Sequence, residues 1–239
     1  MALVLSQSGM DLNQKEVVIT GASSGLGLAT AKNLLAQGAH VVIASRQSPD
    51  LEMVKKELAS DSCEIIACDI SQPEEVAALA KKVTQADILI NNAGIWLEGE
   101  LESYDDEQIK NVLAVNLTGT ILVTKAFLPG FKKRNSGFIL NVVSTSGLLA
   151  RELQSVYAAS KWGVRGFTEV LKNELSKTEI RVVGFYPGGM NTGLFSKGGS
   201  ERDTAKYIQP EAMADVIAFI LSRPDSMLIS DITISRTAK

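Results

Sequence analysis

The chain has one histidine, two cysteines and six prolines in 239 residues, and its aromatic fraction is only 5%. One imidazole and two separated thiols cannot build the usual transition-metal cage, so no metal centre is expected. Cys63 and Cys68 stand five apart on a strand-like run, which turns their side chains to opposite faces and removes an easy disulfide. That usage fits a reduced, cytoplasmic chain. Charge of one sign is scarce too: 24 Lys+Arg face 27 Asp+Glu for a net −3, and no basic run exceeds Lys132-Lys133-Arg134. An electrostatic footprint for nucleic acid or anionic lipid is thereby excluded. The apolar runs, such as Val17 to Ile19 and Val41 to Ala44, fall far short of the roughly 18 residues of a membrane span, so no bilayer crossing is expected. Residues 1–9 carry neither a basic n-region nor a small-residue cleavage pattern and read as a disordered extension, with Met10 as an alternative start.

The residues that are present describe an α/β chain. Short β-branched runs at Val17-Val18-Ile19, Val41-Val42-Ile43, Ile65-Ile66, Ile88-Leu89-Ile90, Phe138 to Val143, Arg181 to Phe185 and Leu228 to Ile234 alternate with helical stretches. Seven such strands predict a buried, doubly wound parallel sheet with helices on both faces. Helix starts are written locally: Ser48 before Pro49, Ser71 with Glu74 as a capping box, and Ser103 with Asp106 as a weaker version. Gly38 is a helix stop. No linker, repeat or low-complexity stretch interrupts the alternation, so residues 10–239 are expected to form one domain. The exception is 188–209, with five glycines between Gly188 and Gly199; a loop of that length in a compact domain suggests a lid.

The first strand runs straight into Thr20-Gly21-Ala22-Ser23-Ser24-Gly25-Leu26-Gly27 and then a helical pattern. Glycine at 21 permits a tight exit from the strand, at 25 lets a phosphate approach the backbone, and at 27 lets the helix pack closely on the sheet. The helix N-terminus would then face an anion. A dinucleotide fold that prefers NAD usually offers an acid at the end of the second strand, but here the chain reads Ala44-Ser45-Arg46-Gln47. Arg46, with Ser45 as a second donor, suits a 2′-phosphate, which favours NADP(H) over NAD(H).

Further motifs follow in order: Asp69-Ile70 after the third strand, Asn91-Asn92-Ala93-Gly94 after the fourth, Asn116, Ser144, Tyr157-x-x-x-Lys161, and Pro187-Gly188 with Thr192. Together with the glycine turn they resemble the short-chain dehydrogenase/reductase family over nearly all of residues 14–234, and that resemblance implies a Rossmann-type sheet and hydride transfer between a nicotinamide and a carbonyl or alcohol substrate. Tyr157 and Lys161 are four apart on a helix and share a face. An ammonium beside the phenol, and a charged nicotinamide ring, are expected to hold its pKa down so that Tyr157 acts as general acid or base. The resemblance gives Ser144 the substrate oxygen, Lys161 the nicotinamide ribose, and Asn116 a helix bend and a relay water. It assigns the cofactor to Gly21, Ser23, Ser24, Gly25, Leu26, Gly27, Ser45, Arg46, Asp69, Ile70, Asn92, Ala93, Gly94, Tyr157, Lys161, Pro187, Gly188 and Thr192. Asp69 would accept from the adenine amino group. His40 is not placed as a base.

Ser144-Thr145-Ser146 offers three hydroxyls; the family's spacing to tyrosine selects Ser144, and Ser146 stays open as a pocket residue. Trp96, Leu97, Leu148, Leu149, Leu194 and Phe195 suggest an apolar pocket or ordinary core packing. The chain end lacks the Asp-Gly-Gly seen in many family members. That weakens a ketoacyl-carrier-protein reductase assignment and a tetramer through the last strand, leaving a homodimer through the helices bearing Asn116 and Tyr157 ahead of a homotetramer. Two functions remain: an NADP(H)-dependent oxidoreductase, and a catalytically silent NADP(H)-binding regulator.

Overall fold

The computed structural model describes residues 10–224 and 226–237; the expected extension over residues 1–9 lies outside them. The elements run β1 (Glu16–Thr20), α1 (Gly25–Ala36), β2 (His40–Ser45), α2 (Pro49–Glu57), β3 (Cys63–Ala67), α3 (Pro73–Lys82), β4 (Ile88–Asn91) and α4 (Asp106–Leu113). A π-helical turn (Ala114–Gly119) joins α4 to α5 (Thr120–Arg134), followed by β5 (Gly137–Val142), α6 (Ser155–Glu174), β6 (Ile180–Pro187), α7 (Leu194–Lys197), α8 (Pro210–Leu221) and β7 (Asp231–Ile234). The strands form one parallel sheet in the order β3-β2-β1-β4-β5-β6-β7. The chain moves outward from β1 to β3, returns, and then builds β4 to β7 on the other side. That reversal between β1 and β4 opens a crevice at the carboxyl ends of the strands, where open α/β sheets take ligands.

Strand periodicity divides the core into two layers. Val17 and Ile19 point to the face covered by α1, α2 and α8, where they meet Leu26, Leu34, Leu51 and Ile217. Val18 points to the other face with Val76, Leu79, Val123, Phe127, Phe131 and Leu171 of α3, α5 and α6. The stretch Asp106–Arg134 contains an 18-residue window long and apolar enough for a membrane span, with a mean hydropathy of 1.5 in that window. Val112, Val123, Phe127 and Phe131 are nevertheless buried against the rest of this fold. A buried polar chain fixes the helices laterally. Asn91 Nδ2 donates to Thr124 Oγ1 and Asn141 Oδ1, both at 2.8 Å, and Asn141 Nδ2 donates to Thr168 Oγ1 at 2.9 Å, so β4 and β5 are tied to α5 and α6. Bonds of this kind are costly to leave half-made in a dry interior, which keeps the two helices in register with the sheet.

Three helix starts were expected from sequence and one forms as written. Ser48 accepts from Leu51 N and Pro49 opens α2. Ser71 does not cap α3: its amide and hydroxyl both bond Asp69 Oδ1, and α3 begins after Gln72 without a side-chain cap. Ser103 lies in a 3-10 turn and donates to Glu100 O, while Asp105 caps α4 in a reciprocal box with Gln108. Ser71 is spent as a donor to Asp69, and at α4 the Asp105 carboxylate, two residues beyond Ser103, takes the capping position. Gly38 follows α1 at φ +83°, and β7 is shorter than expected, starting at Asp231.

Candidate active site

The loops leaving the carboxyl ends of all seven strands converge on one cavity of about 560 Å³. After β1, Gly21 (φ +66°) and Gly25 (φ +57°) hold conformations that L side chains rarely adopt, and a Cβ on Gly21 would lie 2.6 Å from Ala93 Cα. The β1 and β4 loops are laced together. Thr20 Oγ1 accepts from Asn92 N and Ala93 N, both at 3.1 Å, and Asn92 Nδ2 donates to Thr20 O at 2.9 Å and Gly21 O at 3.1 Å. Gly27 sits behind this wall, where a Cβ would meet Asn92 Nδ2 at 2.5 Å. Ser23, Ser24, Leu26, Ser45, Arg46, Asp69 and Ile70 line the cavity with this turn, and Gly94 lines it nearer Lys161, whose Nζ would be 3.6 Å from a Cβ there. Arg46 is exposed at its rim, and Ser45 Oγ donates to Ser23 Oγ at 3.0 Å.

The other end collects the polar residues expected to carry the chemistry. Ser144, Tyr157 and Lys161 share the wall with Pro187, Gly188 and Thr192. Ser144 stands at φ 120°, ψ 154°, backbone that is nearly confined to glycine and costs about 1–3 kcal/mol; its Oγ accepts from Ser146 N at 3.1 Å. Asn116 is off the wall. Lying within the π-helical turn, it accepts from Ile95 N at 2.8 Å and donates to Ile95 O at 3.0 Å and Ser160 Oγ at 3.1 Å, clamping the β4 loop to α6.

Burial dominates the titration of the pair in the chain by itself. Tyr157, 4% exposed, is pushed up to about 12 by burial, with a hydrogen bond from Ser144 pulling weakly the other way. Lys161, 5% exposed, is pushed down to about 8 by burial and donates to Val142 O at 3.0 Å. Its Nζ is 5.8 Å from the Tyr157 ring centre. At that distance the ammonium does not offset the lost hydration of a phenolate. Tyr157 is therefore protonated at neutral pH, the state a proton donor needs.

Residues 188–209 reach over both ends of the cavity. Met190 bridges Ile208, and Asn191 N donates to Ile208 O at 2.8 Å. Lys197 bonds Asp50 and, at 3.3 Å, Ser24 Oγ; Arg202 Nε donates to Glu98 Oε2 at 3.0 Å. Trp96 packs on Tyr157 with ring centres 4.4 Å apart and on Phe195 at 4.8 Å, and Phe195 meets Tyr207 at 5.9 Å. Of the six apolar pocket candidates, Trp96, Leu194 and Phe195 reach the cavity. Leu97 and Leu148 pack in separate clusters, and Leu149 is exposed. Sequence reasoning missed Arg151, Gln154, Arg202 and Tyr207, which all line the cavity. The Ser-to-Tyr spacing brackets the first two; nothing local marks the others.

Comparison with known proteins agrees with this architecture. The family model described as short chain dehydrogenase matches residues 15–203. An uncharacterised oxidoreductase of Staphylococcus aureus (strain MRSA252) is 33% identical over 227 residues, covering 93% of this chain and 97% of that one. Among solved structures, the closed form of a serine dehydrogenase complexed with NADP+ superposes with TM-score 0.86 at 27% identity, covering 92% of this chain and 94% of the other. A variant of actinorhodin polyketide ketoreductase with NADPH gives 0.83 at 29%, covering 93% and 96%. The protein belongs to the short-chain dehydrogenase/reductase family, a class of NAD(P)-dependent oxidoreductases.

Proposed function

We propose that this oxidoreductase uses NADP(H) and interconverts a carbonyl compound and its alcohol, with Tyr157 as general acid and base. The observation that carries the reading is the convergence of Ser144, Tyr157 and Lys161 on one end of a cavity whose other end is a glycine cradle. The cradle fits a dinucleotide: Gly21 and Gly25 leave backbone where a Cβ would intrude, and Thr192 faces Gly25 across it. The wall has no acid at the end of β2 and has Arg46 there, which suits a 2′-phosphate, while Asp69 suits the adenine amino group. The serine dehydrogenase and the ketoreductase with their NADP(H) are consistent with that choice.

When bound, the reduced nicotinamide supplies hydride. Tyr157 gives its phenolic proton to the carbonyl oxygen, and Ser144 holds that oxygen by a hydrogen bond. Lys161 holds the ribose end and, protonated, favours the phenolate left on Tyr157 until a proton returns. Asn116 positions the β4 loop, and 188–209 acts as the lid that excludes water through Phe195 and Trp96. The assembly is a homodimer through α5 and α6, whose Trp162 and Val170 are exposed.

The test is NADPH consumption by the purified protein with aldehydes, ketones and a β-ketoacyl thioester. Turnover of at least one class is expected. No consumption with any of them, alongside saturable NADPH binding, would replace this reading with a cofactor-binding protein that turns nothing over.

A further inference from the structure

We infer that the substrate carries a carboxylate anchored by Arg151 and Gln154, so that the reaction runs between short oxo acids and hydroxy acids; this rests on the oxidoreductase reading above. Beyond Ser144 the cavity wall continues through Ser146, Arg151 and Gln154. Gln154 is 2% exposed, and its Oε1 takes the Ser146 hydroxyl proton at 3.0 Å. Arg151 Nη1 lies 3.3 Å from Thr145 Oγ1 and 3.5 Å from Ser146 Oγ. A guanidinium can only donate, so Ser146 Oγ accepts from it and passes its own proton to Gln154. That polarity leaves the Gln154 Nε2 as a donor with no acceptor among the described residues.

The balance of charge points the same way. Of the other cations on the wall, Arg202 pairs with Glu98 and Lys197 with Asp50, Lys161 donates to Val142 O, Arg46 is at the cofactor end, and Arg236 stacks on the Tyr207 ring. Arg151 has no carboxylate partner among the described residues, and Asp69 is at the cofactor end. Glu98 is already bound to Arg202 and to Ser200 Oγ at 3.1 Å, and the Trp96 Nε1 nearby is buried without an acceptor. The reacting end therefore has an excess of N–H donors, and two guanidiniums, Arg151 and the Arg236 that stacks on Tyr207, have no carboxylate partner among the described residues. A planar carboxylate supplies two acceptor oxygens and the missing charge, matching a guanidinium beside an amide. The aromatic wall of Trp96, Phe195 and Tyr207 limits the remainder of the molecule to a short, apolar chain.

A bound NADPH would supply a hydride, one proton with two electrons, to the oxo carbon and be left as NADP+, and the Tyr157 proton would complete the hydroxyl; the carboxylate is unchanged. The test compares kcat/KM for a short oxo acid, its methyl ester and a phosphate-bearing ketone, using NADPH with wild type, Arg151→Met and Arg151→Lys. Wild type is expected to favour the acid over the ester by at least about tenfold. Arg151→Met should shrink that ratio about 10- to 100-fold, mainly through KM, with partial rescue in Arg151→Lys. An unreactive short carboxylate should raise the Tm of wild type with NADP+ bound, and do so less for Arg151→Met. Equal turnover of acid and ester, preference for the phosphate compound, or an unchanged ratio in Arg151→Met overturns the anchor alone. Absence of turnover with every carbonyl overturns the oxidoreductase reading as well.

Discussion

The two ends of the cavity are made of different material. At the cofactor end the wall is rich in backbone, with Gly21 and Ala93 held in place by the Thr20 and Asn92 side chains and Gly25 beside them. At the substrate end it is side chains from separate segments: Trp96 after β4, Arg151 and Gln154 before α6, Tyr157 on α6, and Phe195, Arg202 and Tyr207 in 188–209. Backbone geometry of this kind tolerates few residues and fixes a general chemistry. A wall of side chains changes its ligand with each substitution. One fold can in this way hold one cofactor type constant while the substrate varies.

The comparison can be broken most severely at Gly21. Gly21→Ala places a Cβ 2.6 Å from Ala93 Cα at φ +66°, and about 3 kcal/mol of stability should be lost together with NADPH binding, measured by urea unfolding and cofactor titration. Arg46→Asp sharpens it: NADPH affinity should fall about 10- to 100-fold with little change for NADH, and equal losses would remove Arg46 from the 2′-phosphate. Lys161→Met separates stability from function. Burial holds this lysine near 8 against its usual 10.5, so losing the charge should stabilise the fold by about 2 kcal/mol while turnover collapses. That gain is full below pH 8 and fades as pH rises towards 10.5, where the lysine is neutral folded or unfolded. Outside the cavity, Ser48→Ala should cost only about 1 kcal/mol through the α2 cap and leave kcat unchanged.

Legibility from sequence follows the same division. The seven strands and the glycine turn could be read because backbone demands leave local signatures: β-branched runs, and glycine where φ is positive. That Tyr157 and Lys161 share a wall likewise follows from helical spacing, while the choice of Ser144 among three hydroxyls rests on the family resemblance. Ser71 and Ser103 do not cap because each hydroxyl is used as a donor, to Asp69 Oδ1 and to Glu100 O, and Asp105, two residues after Ser103, caps α4 instead. Leu97 and Leu148 resemble pocket residues in sequence, but only tertiary packing decides which apolar side chain faces a cavity. Arg202 reaches the site through Glu98, 104 positions away, and no local pattern encodes that pairing. Without a nicotinamide beside it the phenol of Tyr157 stands near 12, because spacing reveals a neighbouring charge but not how completely both groups are dehydrated.

The central claim, that one end binds cofactor through backbone while Tyr157 at the other transfers the proton, is tested most directly in Tyr157→Phe. NADPH affinity by fluorescence titration should stay within about threefold of wild type, while carbonyl reduction falls by about 10²- to 10⁴-fold. Retained turnover, or loss of binding in step with turnover, would contradict it.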